Sequence, residues 1–182
     1  MANGSFFGMD PRDEWNASTW ELFRCCLVRT LTSYDVSGSS IAAQPVPDLA
    51  SGPPEVSSDG LTWTFHLRPG LHYAPPMQDT EITAPDFARA LRRLAGSYDP
   101  GQPGLAFYLS QIDGWNEFAS GKTSSIVGLQ TPDPLTLRIV QTRPDASLPY
   151  VLALPLAAPI PPSPGSPDAA EGVATGHDGG SL

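Results

Sequence analysis

The chain has 182 residues, 19 acidic against 10 basic, and a formal net charge of -9. Such a surface repels a phosphate backbone, and Lys122 is the only lysine, so nucleic-acid binding is excluded. Hydrophobic residues at 40% supply one core, while 21 Pro and 17 Gly favour short elements joined by rigid loops over a helical bundle.

The first eight residues, Met1 to Gly8, carry neither a basic region nor an apolar run, so no signal peptide or lipobox is visible. A helix is expected from Ser18. Ser18 and Glu21 fit a capping box, and Trp20, Phe23, Leu27 and Leu31 recur at helical spacing on one face. Within it Cys25 and Cys26 are adjacent. Sequence neighbours seldom reach relaxed disulfide geometry, so the pair reads as two small buried apolar side chains, with no disulfide framework and no zinc spacing.

Residues 33–54 read as loop, punctuated by Pro45, Pro47 and the run Gly52-Pro53-Pro54. After the turn at 57–60 comes the clearest element. Leu61, Trp63, Phe65 and Leu67 alternate with Thr62, Thr64, His66 and Arg68, which predicts a strand with one buried and one wetted face. Thr83 then caps a second helix, with Pro85 in its first turn and Asp86 at its positive end. Phe87, Ala90, Leu91 and Leu94 mark the buried face of that helix; Arg89, Arg92 and Arg93 are expected on its solvated side.

A further helical stretch is expected over 105–120, interrupted at Gly114 and stopped at Gly121. Residues 126–131 and 135–140 read as a hairpin about the turn Pro132-Asp133-Pro134. The apolar run 148–162 is broken by Pro149, Pro155, Pro159 and Pro161 and is too short to span a bilayer. The Pro- and Gly-rich remainder lacks the apolar surface to order itself.

No catalytic constellation accompanies these elements. Gly121-Lys122-Thr123 resembles the end of a phosphate-binding loop, but Asn116 stands where the earlier glycine belongs and the flanking elements are in the wrong order. His66, His72 and His177 show no metal-ligand spacing, and no nucleophile elbow occurs. Neither an enzyme nor a cofactor is indicated.

Several stretches, in order, resemble one family. They are Met9-Asp10-Pro11, Leu22-Phe23-Arg24, Asp48-Leu49-Ala50, and the turn and strand from Asp59-Gly60 to Pro69-Gly70. Ile82-Thr83-Ala84-Pro85-Asp86-Phe87, Gly121-Lys122, Ile126-Val127-Gly128 and Asp133 to Ile139 continue the pattern. The resemblance, from about Met9 to about Asp178, is to the bacterial extracellular solute-binding proteins of family 5, the oligopeptide- and dipeptide-binding kind. It implies a mixed α/β fold of two hinged lobes with a subdomain inserted in the first. By that pattern residues 1–52 open the first lobe, 53–143 form the inserted subdomain, and 144–182 begin the return, with a disordered tail. An export signal and a second lobe, both expected of the family, are not seen.

The same resemblance implies a non-catalytic, monomeric, periplasmic or cell-surface receptor. It would capture a peptide or other small solute for the membrane permease of an ABC importer. Carried over by position, Glu14, Trp15 and Asn16 line the cleft, and the helix start at 105–108 brings Tyr108 towards the ligand. Two other readings stand beside it: a truncated, non-functional remnant of such a receptor, and a hydrolase or chaperone-like protein.

Overall fold

The structure is a computed structural model and describes residues 17–34, 44–96 and 105–162. It is an α+β arrangement in which an antiparallel sheet carries one helix across its apolar face. Four strands make the sheet, β3 (Glu55–Val56), β4 (Thr62–His66), β5 (Leu129–Asp133) and β6 (Thr136–Val140), in the order β3-β4-β6-β5. A smaller pair, β1 (Thr32–Ser33) and β2 (Val46–Pro47), crosses the stretch expected to be loop. Two-residue strands carry no periodicity that a sequence could display, which is why they escape notice.

The alternation along β4 is borne out. Trp63, Phe65 and Leu67 are buried, with Phe65 at 0% exposure, while His66 and Arg68 face water and Thr62 and Thr64 are half-buried. Strand β6 supplies the matching face. Trp63 lies opposite Ile139 and Phe65 opposite Leu137, so the four large side chains share one side of the pleat. A slip of one residue would turn all of them to solvent, so this register is strongly specified. The Trp63 indole N–H donates to Gln141 Oε1 at 3.1 Å, so the polar edge of the ring is satisfied inside the core.

The β5–β6 hairpin is present, but its turn falls later than expected, at Pro134 and Leu135, with Pro132 inside β5. The cause is Asp133. Its Oδ1 accepts the Leu135 N–H at 2.9 Å, so this side chain nucleates the reversal. Those contacts, led by the Thr136 side chain, hold the Asp133 carboxyl below its usual pKa.

Helix α2 (Ala84–Gly96) starts where the capping signal places it, but the capping side chain is that of Asp86, not Thr83. The Thr83 N–H and hydroxyl both donate to Asp86 Oδ2, at 2.9 and 3.3 Å. Phe87, Leu91 and Leu94 pack in one core with Trp63, Phe65, Leu137 and Ile139. Complete burial of such a side chain contributes about 1.5–3 kcal/mol, so this shared face dominates the stability of the sheet and helix.

Arg89 departs from expectation. It is only 4% exposed, and its Nη1 donates to Asp86 Oδ1 and to the Ile160 carbonyl, each at 2.6 Å. The segment beyond α4 (Leu148–Val151), with its 3-10 turn Pro155–Ala157, runs along that flank of α2 and covers the guanidinium. Arg92 and Arg93 are half-buried. The Tyr73 hydroxyl is buried nearby without a hydrogen-bond partner. Burial, then the nearby Asp86 carboxylate, push its phenol far above the ordinary range.

At the N-terminal side, α1 (Ala17–Leu22) gives way to a π-helical turn, Phe23–Leu27. Ser18 already lies inside α1, and Glu21 turns to Arg24 at 2.6 Å, a charge-assisted bond that outcompetes a capping N–H. Phe23 is buried as the stripe predicts, Trp20 and Leu27 are half-buried, and Leu31, though buried, lies past the helical turn, which ends at Leu27 where Val28 becomes extended. Cys25 and Cys26 correct the expectation: both are exposed, and they are bonded to each other. Phe23 takes the core side of this turn, and Cys25 and Cys26 lie on its outside.

Candidate functional site

The stretch 105–120 resolves into a 3-10 turn, Leu105–Leu109, and a short helix α3 (Trp115–Ala119). Gly114 and Gly121, at φ 78° and 72°, stand where the interruption and stop were expected. Leu109, Ile112 and Trp115 are buried and fasten this region to the core. Phe107 and Tyr108 point the other way, at 50% and 51% exposure. Their ring centroids are 6.0 Å apart with planes at 70°, an edge-to-face pair presented to solvent.

Backbone bonds hold the platform beneath them. The Ser110 hydroxyl donates to the Phe107 carbonyl at 2.6 Å, and the Thr142 N–H to Gln111 O at 2.8 Å. The Asp113 N–H donates to Val140 O, Gly128 N–H to Asp113 O, and Val140 N–H to Gly128 O, at 2.8–2.9 Å. Three chain segments meet at Gly128 with no room for a side chain. A Cβ there would lie 2.5 Å from Val140 O and 2.8 Å from Asp113 N. The 3-10 turn is thereby tied to the end of β6.

On the other side α4 packs beside the 3-10 turn, and its Tyr150 is 37% exposed. The Thr32 hydroxyl donates to Pro149 O at 2.7 Å, linking β1 to the same corner. Aromatic faces and phenol groups here offer stacking and hydrogen bonding to a ligand.

Of the residues singled out by sequence, Tyr108 lies on this platform. Glu14, Trp15 and Asn16 lie outside the described residues. Phe107 falls within the stretch 105–108 expected near the ligand without being singled out, and Tyr150 was not named. Phe107 sits in a continuous apolar run, Leu105 to Leu109, where no alternation says which ring faces outward. The other candidates are elsewhere. His66 Nδ1 is 3.2 Å from Thr136 Oγ1 and its Nε2 is 3.6 Å from Glu55, on the outer face of the sheet. Lys122 is exposed just past α3, with a helix before it and no helix after it, the wrong context for a phosphate loop.

The fold is shared with a known family, and the chain belongs to the bacterial extracellular solute-binding proteins, family 5. Residues 44–177 match the middle region of the bacterial extracellular solute-binding proteins, family 5. The chain is 34% identical, over 108 residues, to di/tripeptide-binding protein 4 of Pseudomonas aeruginosa (strain UCBPP-PA14), covering 57% of this chain and 19% of that protein. It is 30% identical, over 122 residues, to the oligopeptide-binding protein AmiA of Streptococcus pneumoniae serotype 4 (strain ATCC BAA-334 / TIGR4), covering 62% and 18%. Among solved structures, clavulanic acid biosynthesis oligopeptide binding protein 2 superposes with a TM-score of 0.67 at 33% identity, covering 85% of this chain and 28% of that one. The chain therefore spans less than a fifth of the length of these two curated relatives. Among the described residues, no helix is long and apolar enough to cross a membrane.

Proposed function

We propose that this chain is part of the substrate-binding component of an ABC importer and that it contributes one wall of a peptide-binding cleft. The observation that carries the reading is the family match over residues 44–177. The names of the relatives supply the substrate class, peptides from two residues upward. Capture is non-catalytic: closure about the ligand removes its surface from water and presents it to a permease, with no bond made or broken. The receptor works as a monomer in the periplasm or at the cell surface.

Within this reading Tyr108 contacts the ligand, and Glu14, Trp15 and Asn16 line the cleft. Residues 53–143 act as the inserted subdomain, with 1–52 and 144–182 belonging to the first lobe. Tyr108 stands half in solvent on a turn pinned by backbone bonds, so it meets a ligand without first having to be ordered.

Calorimetric titration with a di- to oligopeptide library tests the proposal. The 182-residue chain is compared with a polypeptide of its relatives' full length carrying the same segment. Micromolar binding is expected of the longer polypeptide and weak binding of the shorter, since one wall leaves the ligand half solvated. In the longer one, Tyr108→Ala should weaken binding about tenfold. Unchanged affinity in that variant would remove Tyr108 from the site, and no peptide binding by the longer polypeptide would sink the function.

A further inference from the structure

The bonded pair Cys25–Cys26 lies where the helix changes pitch. From Ala17 to Leu22 the chain is α-helical, and from Phe23 to Leu27 it is π-helical, closed by the Val28 N–H donating to Phe23 O at 2.9 Å. Successive side chains of an α-helix diverge by about 100°, whereas a disulfide needs its two Cβ atoms about 4 Å apart. The bond and the regular α-helical pitch therefore oppose each other at adjacent positions. Single π turns are rare and concentrate where a helix does something besides pack.

Both cysteines are exposed, so a soluble thiol reaches them. Beneath them Phe23 is fully buried, which holds the start of the turn in place whatever the state of the sulfurs. On the far side Arg29 is paired with Asp48, and Thr32 with the Pro149 carbonyl. Any change is thus confined to the turn between two anchors. The unbonded state also has a partner ready: Cys25 Sγ is 3.5 Å from the Leu22 carbonyl, to which a thiol would donate.

We propose that Cys25–Cys26 is a thiol-addressed redox switch that sets the pitch of this turn. A dithiol supplies the two electrons. Its first thiolate attacks one sulfur, breaking the S–S bond, forming a mixed disulfide and releasing the other cysteine as a thiolate that takes up a proton. Its second thiolate displaces the mixed disulfide, leaving two cysteine thiols and the oxidised cyclic reductant. Freed of the bond, the turn reverts towards α geometry, with the Val28 N–H moving from Phe23 O to Arg24 O. In an oxidising compartment the bonded π form is the resting state.

Thiol counting on the native chain, before and after treatment with dithiothreitol, reads the chemistry; amide hydrogen exchange at residues 22–28 reads the conformation. No free thiol is expected before reduction and both cysteines after it, with the Val28 amide exchanging about tenfold faster once reduced. A Cys25→Ser/Cys26→Ser variant should show the fast rate with or without dithiol. Two free thiols before reduction, or identical exchange in the two states of the wild-type chain, would overturn the proposal.

Discussion

The face built by Trp63 and Phe65 and the platform carrying Phe107 and Tyr108 use the same kinds of side chain to opposite ends. On β4 the rings point from alternate positions into a core that β6 and α2 complete, and Phe65 is wholly buried. On the 3-10 turn Phe107 and Tyr108 are adjacent, so they cannot both follow Leu109 into the core and both stand half in water. The first region spends its aromatic surface on stability. The second leaves that surface available, and its rigidity comes from the backbone bonds around Asp113, Gly128 and Val140. A ring packed in the core and a ring left half in water therefore differ in what holds them, which mutation separates.

The largest effect is expected at the core. Phe65→Ala should cost about 3–5 kcal/mol in urea unfolding, because the cavity lies between paired strands that collapse poorly. Tyr108→Ala should stay within about 0.5 kcal/mol of the parent, as exposed substitutions do. Equal losses at the two positions would break the distinction drawn between them. Next in size is Gly128→Ala, expected to cost about 1–3 kcal/mol because its Cβ meets backbone atoms that cannot yield. That substitution sharpens the contrast: it should loosen the platform, speeding amide exchange at Asp113 and Val140 while leaving the Phe87–Phe65 core in place.

The smallest effect at neutral pH concerns Tyr73. Its phenol is held above the ordinary range of about 10, by burial and then by Asp86, so the native state keeps a proton that the unfolded chain gives up. Its contribution is fully present below about pH 10 and is lost as pH rises beyond it. Stability measured from pH 7 to 11 should therefore fall more steeply above about pH 10 in the parent than in Tyr73→Phe. Parallel curves would mean that the Tyr73 phenol is not kept from ionising by its burial.

Much of the sheet and helix was legible because periodicity is a local record of a buried face. The alternation, which holds from Trp63 to Arg68 while Leu61 is only half-buried, and the helix start at Thr83–Asp86 each need only neighbouring residues to be read. The hairpin turn was misplaced because two prolines flank Asp133 and nothing local ranks them above its carboxylate, which makes the decisive bond to Leu135. The candidate site was legible only in part. Tyr108 came from family resemblance, while Phe107 lies in an unbroken apolar run, and only the fold shows which of its members turn outward.

The sequence by itself determined the class: an acidic, proline-rich α+β chain, with a patterned strand, a capped helix and a hairpin in the order of a solute-binding family. Only the tertiary structure decided where isolated polar groups lie. Arg89 falls on the flank of α2, and helical spacing alone sends it to water; the segment ending at Ile160 covers it instead. Cys25 and Cys26 show the converse, since Phe23 takes the core side of their turn and leaves both outside and bonded. The physical reason is common to both. Periodicity tells which side of an element is apolar, but the burial of any other side depends on a segment distant in sequence, and its arrival leaves no mark on the local pattern.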